Sequence, residues 1–191
     1  DTDLRRVKMA RTILVNTNFA GANLEGADLQ EANLHSANLQ NAKLIEINLQ
    51  GASLQEANLQ GANLQSAQLS RGDVRNAIFK KVRMVKAVFV RTNFTGTDLR
   101  KVDIQDADLR GSILVGANLS DANLQRAKLF GASLQGANLR GTNLQGAELQ
   151  GANFQGANLQ GANLREFDLR QTNLSETNLS NAKLEETNLI G

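Results

Sequence analysis

The amino-acid sequence predicts an all-β solenoid, a thin tube in which copies of one short unit stack on one another. A large apolar residue, here called the centre, recurs every fifth position without a break from Leu4 to Leu189. A small residue, usually Ala, stands two positions before the centre, and Gly often stands two positions after it. A period of five matches neither the 3.6-residue repeat of an α-helix nor the two-residue repeat of a flat strand.

Each position of the five-residue unit has a structural explanation. The centre and the small residue are expected to face the inside of the tube. Asn or Asp usually precedes the centre and suits a turn, because its side chain can bond local backbone groups. Gly after the centre tolerates the positive φ that several tight turns require. Backbone amides are then expected to pair between successive coils as in a parallel sheet, about 4.8 Å apart.

This pattern, with the consensus A-N-L-Q-G, resembles the pentapeptide repeat family over essentially all 191 residues. Residues 151–164 depart from that consensus only at Phe154. The resemblance implies a right-handed quadrilateral parallel β-helix with four pentapeptides per coil. The 38 repeats would then form nine and a half coils without loop insertions, and residues 20 positions apart would lie one above another.

The unbroken phase indicates a single domain over residues 1–191. The chain enters the repeat directly after Asp1 and ends two residues after a centre, so we expect a domain that belongs to a longer chain. No apolar run approaches the roughly 20 residues of a membrane helix, and the absence of Cys leaves the compartment open. Because the ends of a β-helix expose unpaired backbone, the isolated domain is expected to associate end to end.

Charge is concentrated in a belt near the middle of the chain. Residues 70–101 carry nine basic and two acidic residues, although the net charge of the whole chain is only +2. Such a belt can attract an anionic partner, and the alternative is a well-solvated collar. No aromatic residue is interleaved with the basic ones on outward positions, which disfavours binding of single-stranded nucleic acid. The candidate surface for an anionic partner comprises Arg71, Lys80, Lys81, Arg91, Arg100 and Lys101.

Bulky residues interrupt the leucine pattern at two places. One whole coil is predicted to have aromatic or methionine centres, which indicates a local swelling of the tube. Phe167 stands where Ala is usual, so it either overpacks the core and expands the coil or turns outward. Phe130 follows a centre and is expected to be exposed. The four bulky centres of the coil are Phe79, Met84, Phe89 and Phe94.

Residues typical of catalysis or metal binding do not form a recognisable set. His35 is the only histidine, and without Cys it cannot complete the usual zinc site or a Ser–His triad. Acid–base catalysis needs two carboxyl groups that converge in a cleft, and a convex rod without loops offers none. We therefore predict that the protein is not an enzyme and has no cofactor, metal or small-molecule substrate.

These observations favour a non-catalytic scaffold, a rigid rod that presents flat polar faces to a protein partner or an anionic surface. The resemblance suggests a sharper version, in which the rod is the soluble tail of a cyanobacterial membrane protein that helps to deposit the glycolipid layer of heterocysts. The alternative is a family member that mimics DNA and binds gyrase. Such members have an acidic surface and a C-terminal dimerisation helix, whereas this chain has a net charge of +2 and no sequence pattern for that helix.

Overall fold

The computed structural model describes residues 2–190, and the terminal residues Asp1 and Gly191 lie outside the described part. Those described residues form a four-sided parallel β-helix without a single α-helix or extended strand, and no helix in them could span a membrane. Each pentapeptide contributes one bridge residue, immediately before the centre, followed by a turn. The bridges join residues 20 apart, from Asp3 with Asn23 to Asp168 with Asn188. Four pentapeptides therefore complete one coil, as predicted.

We number the faces of the rod 1 to 4 in chain order, beginning with the centres Leu4, Met9, Leu14 and Phe19. The edge between two faces carries both their numbers, so that edge 4–1 joins face 4 to face 1 of the next coil. Edges 4–1 and 2–3 are diagonally opposite. No loop of the described residues departs from the repeat.

Every edge has the same turn. In the first of these, the N–H group of Val7 donates to the carbonyl oxygen of Leu4, 3.3 Å away, across two turn residues. The second turn residue always has a positive φ, between 54° at Arg126 and 72° at Gly61, as a type II turn requires. At Gly61 a β-carbon would also collide with the side-chain oxygen of Asn41 in the coil below. The predicted explanation for glycine at the edges is thus confirmed.

The two inward columns form the core. Leu24, Leu44 and Leu64 stack on face 1 and are fully buried. The small residues are buried beside them, and at several positions where Thr replaces Ala its hydroxyl donates to a nearby backbone oxygen. Thr92 and Thr142, for example, each donate to a centre carbonyl oxygen 2.7 Å away. The core is only partly covered in the outermost described coils, where Leu189 is 53% exposed.

Asn and Asp have the predicted local role. The side-chain oxygen of Asn23 accepts a hydrogen bond from the backbone N–H of Glu25, and the same contact recurs along the rod. Some of these residues also bond the equivalent residue one coil away. Asn48 donates to Asp28 at 2.9 Å. Local bonds thus shape the turns, and side-chain ladders form at some positions only.

The predicted continuous ladder of backbone hydrogen bonds is wrong at two places, although the turns there are intact. Among residues 2–190, the 20-residue register lacks its bridge at three positions: Ile78 with Asp98, Asn143 with Asn163, and Glu148 with Asp168. The first gap, between residues 76–82 and 95–103, is called the basic seam below. The second, between residues 141–149 and 160–168, is called the Phe167 seam. Both seams coincide with the bulky residues noted in the sequence.

Candidate functional site

The six predicted basic residues are all exposed, but they do not form one surface. Arg71 and Arg91 lie on edge 2–3, whereas the other four lie on edge 4–1, diagonally across the rod. A single flat partner cannot contact both groups at once. The structure therefore divides the predicted anionic-partner surface into two separate sites.

The site on edge 2–3 lies on regular β-helix. The N–H group of Arg71 donates to the carbonyl oxygen of Val90, 2.9 Å away, and that of Arg91 donates to Arg110 at 3.0 Å. Glu31 borders the same edge and forms an ion pair with Arg11. The two arginines form no ion pair within residues 2–190, and the inter-coil hydrogen bonds expected from the register are all present around them.

The site on edge 4–1 lies on the basic seam. Lys80 and Lys81 belong to the lower coil, and Arg100 and Lys101 to the coil above. Five inter-coil hydrogen bonds expected from the register are absent between these coils. The N–H groups that lack their partners are those of Asn76, Phe79, Lys81, Asp98 and Asp103.

Bulky core residues explain why this seam opens. Phe79 lies directly below it on face 4 and is buried. Its ring packs against Phe94 with a centroid distance of 6.0 Å, and Phe94 packs edge-on against Phe89 at 5.1 Å. Val82 also replaces the usual Ala in the small column next to the seam. Extra volume in a close-packed core forces the backbone to shift, and here the missing inter-coil hydrogen bonds are confined to one side of the coil.

The opened seam forms a groove of about 690 Å³ on the surface of the rod. Ala77, Ile78 and Phe79 supply apolar atoms to its lining, and Gly96 and Thr97 lie on its upper side. Ile78 is 47% exposed, unlike the centres of the core. The remaining lining residues are Asn76, Lys80, Lys81, Asp98, Arg100 and Lys101.

The four basic side chains of the groove are not equivalent. Arg100 forms a two-pronged ion pair with Asp98, with a shortest distance of 2.6 Å. Hydrogen bonding by Arg100 lowers the pKa of Asp98. Burial of the carboxyl group acts in the opposite direction and offsets part of this lowering. Lys80, Lys81 and Lys101 form no ion pair with any described residue. The groove thus has a net charge of +3, and three of its four cations are free to bind a ligand.

Asp98 also belongs to this site, although it is not among the predicted residues. A recognisable signal was present, because Asp precedes a centre and Arg follows it, so that both side chains lie on the outer side of one strand-like segment. The same arrangement pairs Asp73 with Arg75 at 2.7 Å. Burial alone would raise the pKa of Asp73, but hydrogen bonding by Arg75 and the charge of its guanidinium group together bring the pKa below its ordinary value. Such pairs neutralise part of the basic belt.

The remaining sequence predictions concern isolated residues. Phe167 is buried with 9% exposure, so it points into the core, and the adjoining seam is open. Phe130 is 55% exposed, as predicted. His35 is half-buried, and its Nε2 atom lies 3.7 Å from a carboxylate oxygen of Glu56. Within residues 2–190 no group of three or more His, Cys, Asp or Glu residues is arranged to hold a metal ion.

Stacked pentapeptides with bridges every 20 residues define the protein as a quadrilateral β-helix solenoid. Comparison with known families agrees, since the Pentapeptide repeats family matches eight stretches that together span residues 2–191. The chain belongs to the pentapeptide repeat family, whose members fold as right-handed quadrilateral β-helices. The predicted fold class is thereby confirmed. The matched stretches are 2–41, 32–71, 42–80, 67–106, 77–116, 103–132, 122–161 and 152–191.

Several solved structures are similar to this chain. HetL, a pentapeptide repeat protein involved in heterocyst differentiation regulation from the cyanobacterium Nostoc sp. strain PCC 7120, is 29% identical, with a TM-score of 0.50. The match covers 95% of this chain and 89% of HetL. QnrB1, a plasmid-mediated fluoroquinolone resistance protein, is 18% identical over 96% of this chain and 91% of its own, with a TM-score of 0.36. Rfr23, a pentapeptide repeat protein from the cyanobacterium Cyanothece 51142, is 22% identical, with a TM-score of 0.21. That match covers 79% of this chain and 90% of Rfr23. Among curated proteins, none matches the chain.

Proposed function

We propose that this protein is a non-catalytic scaffold that presents flat polar faces to a protein partner. The observation that carries the proposal is the fixed register of outward side chains on all four faces. Gln125 and Gln145 lie one coil apart and share a hydrogen bond of 3.2 Å, and so do Asn158 and Asn178. Rows with this spacing offer a partner the same polar group at each rung, held by a packed core.

The similarity to HetL supports a regulatory form of this proposal. HetL is involved in heterocyst differentiation regulation, and the match covers most of both chains. A scaffold of this kind would act by holding a regulatory protein against one face.

The repeat style leads to a finer proposal, in which the rod is the tail of a cyanobacterial membrane protein that deposits heterocyst glycolipids. The complete reading frame tests this finer proposal: membrane helices before the repeats would support it, and their absence there would contradict it.

One outward residue on each face provides the test of the scaffold itself. We would replace Arg83 on face 1, Lys128 on face 2, Ile113 on face 3 and Ile78 on face 4 by Glu, one at a time. All four are exposed and precede a centre, so each change is confined to one face. Immobilised wild-type protein and each variant would be incubated with a cyanobacterial lysate, and the retained proteins would be identified by mass spectrometry.

We expect at least one partner that a single variant loses and the other three variants retain, because a flat face is recognised as a unit. Identical retention by the wild type and all four variants would contradict the proposal, since it would show that no face is recognised specifically. Circular dichroism of each variant checks that the β-helix is preserved.

A further inference from the structure

We propose that the basic seam binds carboxylate groups of an extended acidic peptide segment from a partner protein. This inference rests on the proposed scaffold function and names the chemistry of one partner. It depends on three features that coincide at edge 4–1 and nowhere else in the described residues: unpaired backbone groups, an excess of positive charge, and an exposed apolar residue.

The unpaired backbone groups are the first feature. The N–H groups of Phe79 and Lys81 would donate to Asp98 and Arg100 in a regular coil, and both bonds are absent. Backbone N–H groups are strong donors that need a partner. Carbonyl groups of the same two coils also lack their inter-coil partners, and an extended peptide can pair with both kinds of backbone group at the edge of a sheet. A carboxylate is an acceptor with two oxygens and can bond more than one such donor.

Charge is the second feature, and the Phe167 seam provides an internal comparison. That seam also lacks inter-coil hydrogen bonds, but its groove is lined by Arg165, Glu166 and Asp168, with a net charge of −1. Arg165 is moreover engaged by Glu185 at 2.7 Å. Only the basic seam combines free N–H groups with lysines that form no ion pair among the described residues. The positive groove selects for a negatively charged ligand.

The apolar lining is the third feature, and it favours a peptide over a nucleic acid. Ile78 is 47% exposed beside the lysines, so a ligand that alternates acidic and apolar side chains can contact both. Nucleic-acid binding would be helped by an exposed aromatic ring for base stacking. Phe79 is the aromatic residue of the groove, and only 1% of it is exposed. The groove therefore suits an acidic peptide with interspersed aliphatic residues.

Fluorescence anisotropy with a defined peptide tests the proposal. The probe is a fluorescein-labelled, end-blocked peptide of alternating Glu and Val, titrated with the full chain at low salt. In the test variant Lys80→Gln and Lys101→Gln are combined, and in the matched control Arg71→Gln and Arg91→Gln are combined. Both remove two exposed positive charges, and they do so on opposite edges. We expect the test variant to bind about tenfold more weakly, and the control to change affinity by less than about twofold.

A second variant separates the seam from a simple basic patch. Phe79→Leu combined with Val82→Ala restores the commonest residues at both positions while every charge is kept. We expect it to close the seam, to slow amide exchange at Phe79 and Lys81, and to lose most of the peptide affinity. Unchanged affinity with a closed seam would overturn the role of the seam.

Other results would overturn the proposal altogether. These are the absence of peptide binding by the wild type, or equal affinity of the Lys80 and Lys101 variant. The same titration with a short DNA duplex, and with vesicles of phosphatidylserine and phosphatidylcholine, identifies other ligands. Tighter binding of either of these at the lysines would overturn the choice of a peptide. None of these outcomes affects the face-by-face retention experiment, so failure of this inference and failure of the scaffold proposal are distinguishable.

Discussion

Replacing Phe167 by Ala is expected to preserve or increase stability, which is unusual for a buried phenylalanine. Phe167 is in the small column, where Ala is the commonest residue, and it is 9% exposed. The seam next to it lacks six inter-coil hydrogen bonds that the register provides elsewhere. The bulky ring keeps the two coils apart, so its removal allows them to pair.

The expected change follows from two opposing contributions. Truncation of a buried phenylalanine to alanine costs about 3–5 kcal/mol where the structure cannot collapse. Six new backbone hydrogen bonds contribute about 0.5–1.5 kcal/mol each, or about 3–9 kcal/mol in all. At the middle of each range the gain of about 6 kcal/mol exceeds the cost of about 4 kcal/mol, so the free energy of unfolding of the variant should equal or exceed that of the wild type.

Phe154→Ala is the matched control. Phe154 is a fully buried centre, and its N–H group donates to Asn173 at 2.8 Å, so the ladder beside it is intact. No bonds can be regained there, and we expect a loss of about 3–5 kcal/mol. Urea denaturation followed by circular dichroism measures both variants, and hydrogen exchange reports whether the amide of Leu144 becomes protected. A loss in Phe167→Ala as large as in the control, with rapid exchange at Leu144, would refute this reasoning.

Three further predictions concern single sites. Ser112→Ala should stabilise the protein by about 1 kcal/mol in urea denaturation, because the buried hydroxyl of Ser112 has no hydrogen-bond partner among residues 2–190; a loss would show that the hydroxyl is satisfied. Hydrogen bonding by Arg165 lowers the pKa of Glu185 from 4.5 to about 2. The stabilising contribution of this ion pair is therefore complete above pH 4.5 and is lost as the pH falls towards 2. In the Arg165→Gln variant, NMR titration should show the pKa of Glu185 back near 4.5, and an unchanged pKa would contradict the role of Arg165. Leu119→Asp should unfold neighbouring coils, because Leu119 is fully buried. The surface variant Gln125→Asp should change the free energy of unfolding by less than about 0.5 kcal/mol. Equal hydrogen-exchange profiles for the two variants would contradict this prediction.

Much of the fold could be predicted because each pentapeptide carries the same local information. The centres, the small column and the positive-φ edge positions all indicate one turn and one inward direction, and the burial of Leu24 and the turn at Gly61 agree with that indication. The number of pentapeptides per coil could not be predicted from this local information. It came from the family resemblance, since the local pattern alone does not fix how many sides close a tube.

The seams could be foreseen only in part. The bulky centres predicted a swelling, but not that it would separate the coils beside Phe79 and leave them paired beside Phe89, whose N–H group still donates to Asp108 at 2.7 Å. Phe167 left two outcomes open, because the sequence does not show whether a core expands or expels a side chain. Strain in a packed core is relieved where several neighbours together allow it, and that depends on three-dimensional contacts.

The candidate site could be predicted in part. The positive belt was visible as a cluster in the sequence, and four pentapeptides per coil already place Arg71 and Arg91 on a different side of the rod from the other four basic residues. Arg71 and Lys80 are close in sequence and lie on different edges of the rod. The pairing of Arg100 with Asp98 has the same spacing as that of Arg75 with Asp73, whereas the open groove beside it depends on how the core accommodates its bulky residues.

Disulfide formation between introduced cysteines tests the stacking of four pentapeptides per coil most directly, since the natural chain has no Cys. Gln125 and Gln145 lie one rung apart on edge 1–2, within the span of a disulfide, whereas Gln135 lies on the diagonally opposite edge 3–4. Oxidation of the variant with Gln125→Cys and Gln145→Cys should give an intramolecular disulfide in the folded monomer, and the variant with Gln125→Cys and Gln135→Cys should give none. An intramolecular disulfide in the second variant, or free thiols in the first, would contradict the four-sided coil.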